Sequence, residues 1–171
     1  MPWEKYRSFP NAKAAFNWPE TSPFQGNPPK PDGCPESLMV GPLICNIHET
    51  ALLPNGTEGF LPYSSRFKTV SEGDDSKKCF KRLHRWRYSP AAAYGNNEVH
   101  LHPTESRRLT VREAMRIQTV PDNFALPAEM TLTSKFKTIG NAVPVLLARS
   151  IAVSMNDVVD AVRKGNGYAN I

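Results

Sequence analysis

The sequence predicts an α+β fold: a small β-rich region set between an irregular, proline-rich N-terminal arm and two helices, one short and capped, one long and amphipathic. Three observations carry this. Eleven of the 16 prolines fall in the first 62 residues. Short runs rich in aromatic and β-branched residues follow from about residue 65 to 101. Beyond residue 110 the apolar residues recur at helical rather than strand spacing.

Taken in order, residues 1–64 read as the arm. Stretches such as NPPKPDGCP lack backbone donors and disfavour helix at each residue before a proline. Such a segment is expected to hold few regular elements and to be ordered by packing against something else. Residues 65–122 form the second unit. Its runs RFKTV, FKRLHRWRY and EVHL read as strands, punctuated by turns at Glu72-Gly73-Asp74 and Tyr94-Gly95-Asn96. Within it, Thr110 and Glu113 stand three apart as a capping box, and a short helix runs from there to about Gln118, ended by Pro121. The third unit, residues 123–171, holds a helix from about Pro144 to Val162. Leu147, Ile151, Met155, Val158, Val159 and Val162 make its apolar stripe, and Pro144 suits its first turn.

Composition narrows the function classes. At 171 residues, 40% apolar and 22% charged, the chain has the makeup of a soluble globular domain. No run of about 18 apolar residues is present, so no transmembrane span is expected. The start, MPWEKYRSF, has neither the basic opening nor the apolar stretch of a signal peptide. Three widely spaced cysteines, Cys34, Cys45 and Cys79, point to reduced thiols and hence to a cytoplasmic location. Cys45-x2-His48 and His100-x-His102 lack the paired spacing of a zinc site, so no metal is expected.

The net charge of +5 is unevenly placed. Lys77, Lys78, Lys81, Arg82, Arg85 and Arg87 crowd into residues 77–88, interleaved with Phe80, Trp86 and Tyr88. A positive cluster of this kind suits a polyanion such as double-stranded DNA, whose phosphates these six residues would contact. A solvated strand face is the plainer explanation of the same pattern.

Two motifs then identify a family. Arg107, Leu109, Thr110, Arg112 and Glu113 spell R-x-L-T-x-R-E, and Ala114, Arg116, Ile117, Gln118, Thr119, Pro121 and Asp122 continue it as A-x-R-I-Q-T-x-P-D. Gly140 to Pro144 spell G-N-A-V-P. In order and spacing these resemble the ninth and tenth motifs of DNA (cytosine-5) methyltransferases. The basic aromatic stretch and HLHPTES upstream look like the end of that family's target-recognition region.

The resemblance implies roles. Arg107, Thr110, Arg112 and Glu113 would brace the target-recognition region, although Glu113 also reads simply as a helix cap. For Arg107 and Arg108, phosphate contact and an internal ion pair are both open. Asn141, Ala142 and Val143 would line the S-adenosylmethionine pocket; a glycine turn leading into a helix explains the same residues without a cofactor. Gly140 would permit close backbone approach.

The departures matter as much. The family's nucleophile is a Pro-Cys-Gln cysteine that attacks a cytosine flipped out of the duplex. None of Cys34, Cys45 and Cys79 has proline before it or glutamine after it, no Glu-Asn-Val is present, and no glycine-rich loop follows an apolar strand. No catalytic residue is therefore assigned. The expected function is DNA target recognition and completion of the cofactor pocket in a cytosine-5 methyltransferase, either as a split subunit whose start at Met1 fits such a break or as a C-terminal fragment. A catalytic methyltransferase chain or domain, bacterial or phage, would be the partner, and the last helix would dock on it rather than fold back on its own domain. The alternative is a stand-alone DNA-binding or regulatory module that has lost catalysis.

Overall fold

The computed structural model describes residues 16–77, 79–92, 94 and 100–165. The best-defined element starts at Thr110, whose hydroxyl accepts the Glu113 amide while the Glu113 carboxylate accepts the Thr110 amide. Both halves of the capping box are thus present. They open a helix at Val111–Ile117, which buries Val111, Ala114 and Met115 together with the charged Arg112 and Glu113.

Around this helix the core gathers in two adjoining clusters. Val111, Ala114 and Met115 pack with Leu126, Phe136 and Ile139. On the other side Leu109 packs with Leu83, Val40 and Ile44. Phe67 and Leu101 form a smaller third cluster with Val70 and Phe80. Each fully buried side chain of this size contributes roughly 1.5 to 3 kcal/mol.

Val40 and Ile44 belong to the proline-rich segment, so that segment is part of the core and carries more regular structure than expected. It holds a single-turn 3-10 helix at Glu36–Leu38 and two short helices, α1 at Gly41–Ile44 and α2 at Ile47–Leu52. Asn46 caps α2 by accepting the Glu49 amide. Numbered in chain order, the helix at Val111–Ile117 is α3.

The central region is less β-rich than the run pattern predicts. Among the described residues its sheet is two strands of two residues, β1 at Lys81–Arg82 and β2 at His100–Leu101, paired in parallel. Isolated bridges join Ser22 to Glu72 and Leu101 to Arg108. RFKTV lies largely in a 3-10 turn, Ser65–Lys68, opened by the Ser64 hydroxyl. Most of FKRLHRWRY is loop. The physical reason is that Arg82, Arg85 and Arg87 send long side chains to backbone carbonyls, and this binds the segments together without a ladder. The turn at Gly73 stands as expected, with φ +85°. Glu98, Val99, Gly95 and Asn96 lie outside the described residues.

Two helices complete the chain. α4, Leu132–Asn141, is not anticipated by the sequence pattern. Thr131 caps it, and it packs on α3 through Phe136 and Ile139. Ala142 then turns extended, and α5 runs from Val145 to Gly165. Pro144 sits just before its first turn and accepts the Ala148 amide.

α5 stands clear of the body. Leu147, Ile151, Met155, Val159 and Val162 are all 44–62% exposed. Against the expectation of no span, the stretch Leu132–Lys164 holds an 18-residue window with mean hydropathy 1.4, enough by length and composition to cross a membrane. That stretch is broken by the extended Ala142 and by Pro144.

Candidate DNA and cofactor interface

The two sequence motifs meet at one junction. Glu113, 1% exposed, accepts from both terminal nitrogens of Arg107 at 2.8 and 2.7 Å. His102 approaches the same carboxylate to 3.9 Å. Its ring is held neutral chiefly by burial, with Arg107 adding to the effect and Glu113 opposing it.

Arg112 and Arg116 extend this brace outwards. Arg112, fully buried, donates to the carbonyls of Pro54, Pro121 and Phe124. Arg116 donates to both oxygens of Asp122, at 2.9 and 2.7 Å, to Glu49 at 2.7 Å and to the Leu43 carbonyl at 3.0 Å. The Asp122 hydrogen bonds raise its pKa further, and Arg116 in turn lowers that of Asp122. An open cavity of about 320 Å³ lies beside them, between Pro42, Leu43 and Thr119–Asp122. In this arrangement Arg107, Arg112, Arg116 and Glu113 tie residues 43–54 to residues 102–124, and Arg116 also lines the open cavity.

The second motif is held from the first. The Gln118 side chain donates to the Ile139 carbonyl at 3.1 Å, and the Gln118 backbone carbonyl accepts the Val145 amide at 3.1 Å. Thr119 Oγ1 accepts the Leu146 amide at 2.9 Å. Gln118 and Thr119 thus clamp both ends of the loop that carries Asn141, Ala142 and Val143. To do so Thr119, a β-branched residue, takes φ +56°, a conformation such residues rarely adopt.

Asn141, Ala142 and Val143 are all exposed. The Asn141 amide has no hydrogen-bond partner among the described residues, so it presents both a donor and an acceptor beside an apolar Val143. That donor set fits one edge of a polar, aliphatic cofactor; it is not an enclosed pocket. Gly140 differs from expectation. A Cβ there would meet the Tyr94 backbone nitrogen at 2.8 Å, so its close approach is to Tyr94.

The arginines of the basic cluster, expected at phosphates, are engaged inside the fold. Arg82 is 1% exposed and donates to the carbonyls of Val70, His102, Glu105 and Phe67, with the Phe24 ring 3.9 Å away. Burial pulls its pKa down to about 10. Arg85 is paired with the buried Glu72 at 2.8 and 2.9 Å and reaches the Gly26 carbonyl. Arg87 donates to Pro19 and Gly73. Lys77 is exposed and Lys81 half-buried, while Lys78 lies outside the described residues.

The three cysteines are free thiols, Cys34 buried and Cys45 and Cys79 half-buried. Burial pushes Cys45 up to about 11, and Cys34 is buried against the Asn17 carbonyl. Among the described residues no group of histidine, cysteine and acidic side chains could hold a metal ion.

Residues 46–157 match the family described as C-5 cytosine-specific DNA methylase. The chain belongs to that family, whose members use S-adenosylmethionine as methyl donor. It is 44% identical over 160 residues to the type II methyltransferase M.NmeDI of Neisseria meningitidis serogroup C, covering 92% of this chain and 38% of that protein. It is 32% identical over 156 residues to M.AplI of Arthrospira platensis, 91% of this chain and 44% of that one. Against M.AquIB of a Picosynechococcus species it is 30% identical over 131 residues, covering 68% of this chain and 94% of the relative. The chain therefore spans less than half of the first two relatives, which are methyltransferases of the restriction-modification type, and almost all of the third. A crystal structure assigned to a prophage-encoded DNA modification methyltransferase of E. coli shares the fold, with a TM-score of 0.51 and 22% identity over 85% of this chain and 43% of that one.

Proposed function

We propose that this chain recognises target DNA and closes one side of the S-adenosylmethionine pocket in a DNA (cytosine-5) methyltransferase, while the nucleophile and the cofactor core come from another chain or from sequence outside this one. The observation that carries this reading is the free apolar face of α5. Leu147, Ile151, Met155, Val159 and Val162 line one side of a helix fastened to the body only at its start. Each exposed side chain forgoes roughly 1.5 to 3 kcal/mol of burial. Arg149, Asp157, Asp160 and Arg163 occupy the rest of the helix surface, so the helix favours a protein surface over lipid on all sides.

The relatives support the same division of labour. The Neisseria and Arthrospira proteins extend well beyond the matched region, and M.AquIB is scarcely longer than it. A type II methyltransferase chain consisting of little more than this region is thus known, which favours a two-chain arrangement in a bacterial cytoplasm. The buried, proton-retaining Cys45 supports placing the nucleophile elsewhere.

In the assembly, S-adenosylmethionine supplies the methyl group. This chain's Asn141 would hold a polar edge of it, with Ala142 and Val143 against its apolar portion. Gln118 and Thr119 would keep that loop in place. The Arg107–Glu113 brace would hold the recognition region while the target base leaves the stack.

Transfer of labelled methyl groups to duplex DNA tests the reading, with the chain alone and with a second chain carrying Pro-Cys-Gln. Transfer only in the mixture is the expected result. Transfer by the chain alone overturns the division of labour. Silence in both, with DNA binding intact, favours a non-catalytic DNA-binding module.

A further inference from the structure

Two groups of cations in this chain contrast sharply, and the contrast relocates the DNA contact. Arg82, Arg85, Arg107, Arg112, Arg116 and Lys135 are taken up by carboxylates or backbone carbonyls inside the fold. Arg66, Lys68 and Arg108 form no ion pair among the described residues. The two arginines lie against half-buried rings and the exposed Tyr63. Arg66 lies over the Phe80 ring at 5.1 Å, and Phe80 lies 6.0 Å from Tyr63. Arg108 sits over Phe60 at 5.0 Å and over Tyr63 at 5.1 Å, and also donates to the Tyr63 hydroxyl at 2.8 Å. Tyr63 itself is 64% exposed.

Resting on the DNA-recognition reading above, we infer that the row Arg66–Phe80–Tyr63–Arg108, with the exposed Lys68 in the same 3-10 turn as Arg66, is the surface on which this chain meets the duplex backbone. A guanidinium held against rings and lacking a counter-ion keeps its charge, its planar donors and a fixed orientation. Each ordered cation then neutralises a phosphate with little loss of side-chain freedom on binding. The structural arginines look different: Arg107, Arg112 and Arg116 meet carboxylates, and Arg82 is spent on backbone carbonyls. Asp74, the nearby acid, accepts from the Ser76 hydroxyl and amide and forms no ion pair with Arg66, although the two charges attract each other. Tyr63, exposed between the two arginines, offers a flat ring to a sugar or an unstacked base.

The test is fluorescence anisotropy with labelled duplex DNA over a range of salt, using the full chain. The variants are the pair Arg66→Ala with Lys68→Ala, and the single Arg108→Gln. A charge-matched control is Arg163→Ala with Lys164→Ala on α5. The first pair is expected to weaken binding about tenfold or more and to lower the salt slope by roughly two. Arg108→Gln should lower the slope by roughly one, and the control should bind as the parent does. If the parent chain binds duplex DNA and the face variants bind equally well with unchanged thermal unfolding, the face is wrong and the DNA reading stands. If the parent fails to bind duplex DNA both alone and with its catalytic partner, the DNA reading itself falls, and the face with it.

Discussion

Glu113 grips the Arg107 guanidinium through both carboxylate oxygens, at 2.7 and 2.8 Å, and the more distant of the two oxygens also receives the Thr110 amide at 2.8 Å. One buried acid therefore starts a helix and anchors the segment leading into it. Glu113→Gln keeps an acceptor for the cap but removes the charge opposite Arg107. It is expected to cost roughly 2 kcal/mol, and Glu113→Ala more, because the cap is lost as well. Urea unfolding of the two variants measures the difference.

Lys135 and Glu58 give a second buried test. The Lys135 side chain is 2% exposed and pairs with Glu58, which also accepts from Asn55 at 2.7 Å. Glu58→Gln strands a buried ammonium and should destabilise the chain by about 2 kcal/mol or more. Adding Lys135→Met should recover most of that loss, because the buried charge disappears. A double-mutant cycle by thermal unfolding checks the recovery.

Thr119 is a positioning residue. Thr119→Val keeps the shape and removes the acceptor of the Leu146 amide, so exchange of that amide should quicken roughly tenfold. Thr119→Ser should restore the slow rate. In the assembled enzyme, Thr119→Val should raise KM for S-adenosylmethionine more than KM for DNA.

Acid should loosen the fold in a defined window. His84 is 2% exposed, and burial holds its pKa near 4, with Glu72 opposing and Arg87 and Arg85 reinforcing the effect. His102 is also shifted down by burial. The unfolded chain takes up protons at these positions from about pH 6.5 downwards, whereas the folded chain refuses them. Stability is therefore complete above that pH and falls as pH drops towards 4, by at most roughly 1.4 kcal/mol per unit for each ring. Thermal unfolding of His84→Asn should show a flatter pH dependence between those limits.

Placing aspartate on the apolar side of α5, as in Ile151→Asp, should leave the chain's own unfolding temperature unchanged within about 1 °C, because that side chain is half exposed. Association with the catalytic partner, followed by analytical ultracentrifugation, should be lost.

Legibility in the sequence varied with how local the cause was. The Thr110–Glu113 cap and the periodicity of α5 are local and read directly. α4 was hidden because Thr133, Thr138 and Gly140 weaken its helical signal, and its burial against α3 is a tertiary effect. The strand runs misled because aromatic and β-branched content says nothing of a pairing partner. The arginines misled most. Charge density in 77–88 is visible in the sequence, but the direction of each side chain depends on carbonyls 12 to 68 positions away. Arg66 and Arg108, 42 positions apart, come together only through Tyr63 and Phe80 in the folded chain.

The proline segment and the arginine segment complete each other chemically. Arg85, Trp86 and Arg87 donate to the carbonyls of Gly26, Pro28 and Pro19, in a stretch whose prolines have oxygens to offer and no amide hydrogens of their own. A protein shortened to begin at residue 30 would leave those donors facing solvent. It would be a stickier protein, holding any polyanion more firmly and with less discrimination than its parent, and a gain in affinity on trimming would signal damage and not a purified recognition unit.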